Sequence, residues 1–344
     1  MTLLDVSNLT TRFFTGRGTI EAVSGVDMEI ETGQTVGLVG ESGSGKSVFA
    51  KSLMQIVEDT GEITDGSVRL DGESLLSKSD AEMQAIRGNR IGIVFQDPTN
   101  SLNPTLSVGE QIAEMVRLHQ DTGESLALPA EIKRKILGTA KNSEAWRRAI
   151  EMLESVEIPN ADNRATDYPH MFSGGMRQRA MIAMALAGRP DLLIADEPTT
   201  ALDVTTQARI FEELQALKEE FDTSILLITH DLSIVAENCD VVNVMYAGEI
   251  VERADVDELF DNPQHPYTQA LMRSIPRLDD PEEEIETIEG TVPELVDMPD
   301  ACHFAPRCPE AKEECFRHEP DFRPVGEEGH EAFCLRRGPE ERQI

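Results

Sequence analysis

A glycine-rich segment at residues 40–47 constrains the fold of this chain more than any other feature. It reads GESGSGKS and lies between an apolar run at 35–39, typical of a buried strand, and a helical pattern that we predict to begin near Lys46. Glycines in such a loop let successive backbone N–H groups point at phosphate oxygens, and the helix N-terminus adds partial positive charge. The pattern G-x-x-x-x-G-K-[ST] in this context predicts a phosphate-binding loop, with a plain glycine-rich turn as the alternative.

The same motif predicts chemical roles for its last two residues. A strand that ends in two carboxylates supplies further candidate residues. Lys46 is expected to reach the β- and γ-phosphates of a nucleotide, and the Ser47 hydroxyl is expected to bind Mg²⁺. Residues 191–197 read DLLIADE, a buried strand that delivers two carboxylates at its C-terminal edge. Asp196 is expected to hold Mg²⁺, directly or through water, and Glu197 to orient and deprotonate the attacking water. A helix cap or surface turn is the alternative interpretation.

The remaining patterns predict an α/β fold with an insertion. Short apolar runs with few charges predict further strands of a mostly parallel sheet, at 91–95, 192–195, 225–229 and 241–246. Helical periodicity in EQIAEMVRLH, AWRRAIEMLESV and GMRQRAMIAMALA predicts a helical subdomain at about 97–188. The polar segment 120–142 reads as an extra surface helix or loop. After Glu258 come a turn-like NPQHPYTQ, a charge-dense linker and a tail rich in Pro and Cys.

The net charge of −33 is unusual for a chain of 344 residues. Such a surface excludes nucleic acid as a general ligand. Acidic neighbours repel one another at physiological salt, where the screening length is about 8 Å, but not at ~1 M salt, where it is about 3 Å. Together with 23 Arg against 8 Lys, this charge favours adaptation to strong brine, with a merely acidic protein as the alternative. No apolar run approaches a membrane span, and the N-terminus lacks an export signal, so we expect membrane attachment only through partners.

At residues 172–179 the chain reads FSGGMRQR, which resembles the signature sequence of ATP-binding-cassette (ABC) ATPases. Other marks of that family are present on either side in the expected order: Gln96 in VFQDP before the signature, and Asp203 after the acidic pair and His230 in LLITHD behind it. The resemblance implies an α/β nucleotide-binding domain at 1–260 with a mixed sheet core and the inserted helical subdomain, followed by a small Cys-containing C-terminal extension at 261–344. It also implies a head-to-tail pair of subunits, each ATP lying between one subunit's phosphate loop and the other's signature.

The resemblance carries roles over to individual positions. Counting back from Val23 points to Phe13 as the aromatic that stacks on adenine, with Phe14 as the alternative. His230 is implied to contact the γ-phosphate. The catalytic set is Lys46, Glu197 and His230; the Mg²⁺ set is Ser47, Gln96 and Asp196; and the nucleotide-binding set is Phe13, Gly40, Ser42, Gly43, Ser44, Gly45, Lys46, Ser47, Gln96, Ser173, Gly174, Gly175 and Asp203.

The chain resembles one branch of the family more than the others. The signature has Phe172 for Leu and Met176 for Gln, and FQDPTNSLNP, MYAGEIVE and HPYT occur elsewhere, which resembles the ATPase subunits of oligopeptide and dipeptide importers. That branch implies ATP and Mg²⁺ as ligands, a second ATPase subunit, identical or different, and two integral membrane permeases that link the chain to an extracellular solute-binding protein. It places the chain on the cytoplasmic face of the membrane. An exporter or lipoprotein-release ATPase, and a soluble ABC protein acting on ribosomes or DNA, are the alternatives.

Four of the five cysteines fall in the tail, namely Cys302, Cys308, Cys315 and Cys334. Clustered thiols in a cytosolic chain favour a metal site over disulfides. The spacings do not match the paired C-x2-C of a zinc ribbon. In the importer branch a similar quartet is linked with a [4Fe–4S] cluster in some members, so the resemblance implies such a cluster. Zinc, with His303 or His318 as a further ligand, and no metal at all are the alternatives.

Overall fold

The protein is described by a computed structural model that covers residues 1–97, 101–120, 143–199, 203–274, 288–327 and 329–338. Residues 121–142, where the polar segment was expected, lie outside this range. The chain divides into two compact units. We call residues 1–77 and 226–344 the phosphate-loop unit, and residues 78–225 the signature unit.

The secondary-structure elements are numbered here in chain order. The strands are β1 Thr2–Thr15, β2 Gly18–Glu31, β3 Thr35–Val39, β4 Gly61–Leu70, β5 Glu73–Ser74, β6 Ile91–Val94, β7 Leu192–Asp196, β8 Ser224–Thr229, β9 Val241–Tyr246, β10 Glu249–Asp255, β11 Phe322–Pro324 and β12 Glu331–Phe333. The α-helices are α1 Lys46–Leu53, α2 Asp80–Ile86, α3 Val108–His119, α4 Glu144–Ser155, α5 Ala161–Arg164, α6 Gly174–Leu186, α7 Val204–Phe221, α8 Leu232–Asn238, α9 Val256–Asp261 and α10 Pro266–Arg273.

The phosphate-loop unit is built on two sheets. One is antiparallel, with the strand order β2-β1-β4-β5. The other has the order β11-β12-β10-β9-β3-β8 within this unit, and is mixed because β3 runs parallel to β9 while β9, β10, β12 and β11 pair antiparallel. Every residue of β3 is buried, as expected for a strand covered on both faces. Two short strands of the C-terminal tail thus extend the sheet that carries the phosphate loop.

The signature unit pairs a parallel two-stranded segment with helices. Strands β6 and β7 run side by side in the register Ile91↔Leu192 to Val94↔Ala195. Buried residues recur three to four positions apart on the helices, for example Ile112 and Val116 on α3. The three helical patterns in the sequence correspond to α3, α4 and α6, so those predictions are confirmed.

The strand predictions are also close to the observed bounds. Strands β3 and β9 begin and end where predicted, β6 ends one residue earlier, and β7 and β8 are each one residue longer. The turn-like interpretation of NPQHPYTQ is wrong in its second half, because Pro266–Arg273 is helix α10 with proline at its first position, where the missing N–H has no role. Among the described residues, no helix combines the length and the apolar character required to cross a membrane.

Candidate nucleotide-binding site

The loop at 40–47 folds around the ammonium group of Lys46. The side chain of Lys46 is buried, and its Nζ donates to the backbone oxygens of Gly40 at 2.8 Å and Glu41 at 2.9 Å. A weaker bond of 3.4 Å reaches Ser44 Oγ. The loop therefore curls over its own cation, and Ser42 and Gly43 are exposed at its outer side. An ammonium held in this way beside the start of a helix is suited to binding phosphate oxygens.

Glycine is required where this loop enters helix α1. Gly45 has φ +107°, in the region that favours glycine, and a Cβ built there would lie 2.1 Å from the carbonyl oxygen of Ala22. Gly43 has φ +83° and nothing within 4 Å of a built Cβ, so that its requirement is conformational and not steric. The helix that follows buries Phe49, Ala50 and Leu53 and is anchored to β1 by a 2.8 Å hydrogen bond between the hydroxyls of Thr11 and Ser52.

The two adjacent phenylalanines point to opposite faces of β1. The ring of Phe13 is half-buried, and a Cβ built at Gly61 would lie 2.7 Å from it and 2.4 Å from Val57 Cγ1, so the two side chains flank Gly61 a few residues beyond the end of α1. Phe14 is 54% exposed and lines a cavity of about 420 Å³ on the other face. That cavity is acidic, because its lining includes Glu21, Glu249, Asp297, Asp300 and Glu319.

The acidic pair ends strand β7 in the signature unit. Asp196 is buried, whereas Glu197 is only half-buried and has φ +46°, a left-handed conformation that costs a non-glycine residue of order 1 kcal/mol or more. The Gln96 side chain donates from Nε2 to Oε2 of Glu197 at 2.7 Å. The structure thus brings together two residues that the sequence analysis singled out 101 positions apart.

The signature segment begins helix α6. Phe172 is buried, while Ser173 and Gly174 are exposed. The Ser173 hydroxyl caps the helix by accepting the backbone N–H of Met176 at 3.3 Å. The first amides of this helix lie at the surface, with the positive end of the helix dipole behind them.

Two further predicted residues lie at or just before the start of a helix. Asp203 caps α7 and accepts from both the backbone N–H and the hydroxyl of Thr206, at 3.0 and 2.7 Å. The side-chain and backbone hydrogen bonds from Thr206 lower the pKa of this carboxyl. His230 is exposed directly after β8, where Thr229 Oγ1 accepts the N–H of Asp231.

The C-terminal extension reaches the phosphate loop through contacts that the sequence analysis missed. Arg307 pairs with the side chain of Glu41, and the Tyr267 hydroxyl accepts the backbone N–H of Glu41. Tyr267 belongs to the HPYT motif, which the sequence analysis treated as a mark of a branch and not as part of a site. Both partners lie more than 200 positions from the loop, so that no local pattern could have paired them.

The four tail cysteines are free and share one region. The backbone N–H of Cys302 donates to the oxygen of Cys315 at 3.1 Å, and burial raises the pKa of the Cys302 thiol to about 12. Burial also raises the pKa of the Cys308 and Cys334 thiols. Within the described residues no group of three or more His, Cys, Asp or Glu is arranged to hold a metal ion. The expected iron–sulfur cluster and its zinc alternative therefore have no support here.

Comparison with known proteins identifies the class. Residues 23–200 match the family described as ABC transporter. The chain belongs to this family. Residues 251–315 match a second description, "Oligopeptide/dipeptide transporter, C-terminal region", which includes HPYT and three of the four tail cysteines.

Individual relatives agree along nearly the whole chain. The oligopeptide transport ATP-binding protein AppD of Bacillus subtilis is 48% identical over 93% of this chain and 93% of its own length. The oligopeptide transport ATP-binding protein OppD of Haemophilus influenzae is 47% identical over 91% of both chains. A solved structure titled as the dimeric structure of MJ0796, a bacterial ABC transporter cassette, covers 74% of this chain at 29% identity with a TM-score of 0.61.

These matches confirm the predicted family, the predicted α/β fold of an ABC cassette and the predicted class of enzyme, an ATP hydrolase. The names of the relatives agree with the expected function in peptide import. None of the matches named here points to an exporter or to a soluble non-transport ABC protein.

Proposed function

We propose that this chain is the ATP-hydrolysing subunit that powers uptake of oligopeptides, dipeptides or related small solutes through an ABC importer. The observation that carries the proposal is the match of residues 251–315 to the oligopeptide/dipeptide transporter C-terminal region, in a chain 48% identical to an oligopeptide transport ATP-binding protein. The cassette domain, 1–260 with its helical subdomain at about 97–188, hydrolyses ATP. The extension, 261–344, distinguishes the branch.

The phosphate loop binds the triphosphate of ATP in this proposal. Before ATP binds, the loop carbonyls hold the Lys46 ammonium in position at 2.8 and 2.9 Å. The phosphate oxygens then replace these carbonyls as partners of the ammonium. Gly40, Ser42, Gly43, Ser44 and Gly45 supply the loop's curvature and its N–H groups. Phe13 stacks on adenine, because its face is shared with α1 whereas the cavity beside Phe14 is lined by carboxylates that repel phosphates.

Hydrolysis needs Mg²⁺ and an activated water. Ser47, Gln96 and Asp196 offer hydroxyl, amide and carboxylate oxygens, the ligand types that Mg²⁺ prefers, and the ion neutralises charge on the phosphates when bound. Glu197 accepts the proton of the attacking water, and the 2.7 Å bond from Gln96 orients its carboxylate. His230 contacts the γ-phosphate. Lys46 stabilises charge that develops on it.

The second half of each ATP site comes from a second ATPase subunit, identical or different. The exposed N-terminus of α6 at Ser173 and Gly174 offers N–H groups to the γ-phosphate of the ATP held by the partner, with Gly175 behind them and Asp203 at the same interface. A Cβ at Gly175 would lie 3.2 Å from Thr206 Cγ2, so a side chain there needs Thr206 to shift by a few tenths of an ångström. Loss of the γ-phosphate removes contacts that hold the pair closed.

The remaining partners follow from the transport role. Two integral membrane permeases anchor the chain at the cytoplasmic face of the membrane, and an extracellular solute-binding protein delivers cargo to them. Closure of the ATPase pair moves the helical subdomain, and a cleft near Gln96 grips a short helix of the permease. The exposed Gln96 and Phe95 support this assignment.

The test is reconstitution of the chain with its copurified membrane subunits into vesicles, with labelled peptides as cargo. ATP-dependent uptake that stops when ATP is replaced by ADP is the expected result. Efflux, or copurification with ribosomes and no membrane subunit, would assign one of the alternative functions instead.

We also propose that the acidic surface is an adaptation to high salt, supported by the net charge of −33. Acidic neighbours repel less when salt screens them, so the free energy of unfolding should rise between about 0.1 M and about 2 M KCl. Equal stability at both concentrations would contradict the proposal.

A further inference from the structure

A bidentate ion pair joins the C-terminal extension to the phosphate loop. Arg307 ends a short 3-10 helix, Ala305–Arg307. Its Nη1 donates to Glu41 Oε2 at 2.6 Å, and its Nη2 donates to Glu41 Oε1 at 3.1 Å. The Arg307 side chain is 5% exposed, and that of Glu41 is 28% exposed. Bidentate pairs of this geometry, shielded from water, are screened little by salt.

The rest of the guanidinium is also engaged. Its Nε donates to the backbone oxygen of Glu289 at 2.9 Å, and weaker bonds reach the Ile288 oxygen and the Tyr246 hydroxyl, both at 3.4 Å. The group also lies over the Tyr246 ring, 5.7 Å from its centroid. This fixed, planar set of partners requires arginine, because a lysine ammonium presents a single point of attachment.

A second contact fixes the backbone of the same loop residue. The Glu41 N–H donates to the hydroxyl of Tyr267 at 2.9 Å. Tyr267 is fully buried and packs against Tyr246 and Phe304, with ring centroids 4.7 and 5.4 Å away. The extension thus restrains both the side chain and the main chain of Glu41.

Glu41 in turn is a partner of the loop's cation. Its backbone oxygen accepts from Lys46 Nζ at 2.9 Å. A free Glu41 carboxylate would compete with phosphate for that ammonium and would repel the triphosphate. Paired with Arg307, the carboxylate is neutralised and turned toward the extension.

We propose that Arg307 is a positioning residue for nucleotide binding, which holds Glu41 away from Lys46 and keeps the phosphate loop in the shape that accepts ATP. The extension is then a working part of the ATP site and not only a mark of cargo class. This inference rests on the proposed function, since it presupposes that the loop binds ATP.

A double-mutant cycle on the full chain tests it, with affinity for Mg²⁺–ATP measured by titration of a fluorescent ATP analogue. Arg307→Met should raise the Kd about tenfold, equivalent to about 1.4 kcal/mol. Glu41→Gln should raise it less, because it places no unpaired negative charge beside Lys46 and the guanidinium still donates to the Glu289 and Ile288 oxygens. In the Glu41→Gln background, Arg307→Met should cost less than about twofold, because the harmful carboxylate is already gone.

Two further variants separate positioning from general stability. Arg317→Met removes an exposed pair with Glu313 from the same extension and should leave the Kd unchanged. Arg307→Lys should give an intermediate Kd and also serves if Arg307→Met does not fold. An unchanged Kd in the Arg307 variants, or an equal cost of Arg307→Met with and without Glu41→Gln, would overturn the inference. Failure of the unaltered chain to bind ATP would instead overturn the proposed function.

Discussion

The two glycine-containing helix starts of this chain are built differently. At α1 the loop surrounds a buried lysine, and no side chain caps the helix. Residues of the C-terminal extension hold this loop in place through Glu41. At α6 a serine caps the helix, and the residues that would meet phosphate are exposed. The first start is completed by contacts within its own chain. The second presents its amides outward, as a half-site for a partner's nucleotide would.

A variant that binds ATP without hydrolysing it should form a stable dimer, in which the start of α1 of one subunit and the start of α6 of the other bind the same ATP. Glu197→Gln keeps the shape of the side chain but cannot accept a proton, so turnover should fall at least about a hundredfold while ATP binding persists. A stable ATP-dependent dimer of the variant should appear in light scattering at molar KCl. Glu212→Gln, on the exposed face of α7, is the control. Turnover near that of the unaltered chain would contradict the role of Glu197.

Substituting one polar residue at each of the two helix starts should separate ATP binding by the single subunit from ATP-dependent dimer formation. Lys46→Ala should weaken ATP binding by the subunit alone about 10- to 100-fold, since charge-assisted hydrogen bonds contribute about 1.5–3 kcal/mol each. Ser173→Ala should leave that affinity unchanged and lower the yield of ATP-dependent dimer.

Loss of the cap alone costs Ser173→Ala about 1 kcal/mol of stability. Ser143→Ala is its matched control, because Ser143 caps α4 in the same way, accepting from Trp146 N at 3.1 Å. A similar fall in dimer yield for both variants would assign the effect to stability and contradict a role of Ser173 at the partner's nucleotide.

Of the two adjacent phenylalanines, only Phe13 should contribute to adenine binding. Phe13→Ala should weaken ATP binding about 5- to 150-fold, because stacking of one base on an aromatic ring is worth about 1–3 kcal/mol. Phe14→Ala, the adjacent residue on the opposite face, should change it little. Comparing ATP with inorganic triphosphate in both variants isolates the adenine contribution. A larger loss in Phe14→Ala would reverse the assignment.

The smallest effect concerns the packing that supports the restraint on Glu41. Burial lowers the pKa of His265 to about 3, and its Nδ1 accepts the N–H of Tyr267. The unfolded chain binds a proton below about pH 6.5 and the folded chain does not, so stability falls as pH drops from about 6.5 toward 3, by about 1.4 kcal/mol per unit. His265→Asn keeps a cap and removes this titration. Its unfolding free energy should therefore fall less between pH 7 and 5.5, and an equal fall would contradict this.

The sequence predicted what local patterns encode. Strand β3, the loop and the start of α1 are consecutive, so the phosphate loop could be placed to the residue. The bond from Gln96 to Glu197 could be anticipated only through family resemblance, since parallel neighbouring strands leave no sign of their pairing in sequence. The extension's contact with Glu41 was missed because Arg307 in a Cys- and Pro-rich tail carries no periodicity.

The prediction of a turn at HPYT was wrong for a related reason. Its proline and polar residues read as a turn, yet proline at the first helical position and His265 as cap begin α10. Tertiary burial of Tyr267 decided between these interpretations. Burial of that kind depends on residues far along the chain.

The left-handed backbone at Glu197 has an evolutionary consequence. Glycine or asparagine adopts φ +46° with less cost than glutamate, so Glu197→Gly or Glu197→Asn should raise the thermal midpoint while ending turnover. Selection for stability alone would therefore drift away from glutamate at this position. Glutamate is therefore expected at this position for the work of its carboxylate and not for the stability of the fold.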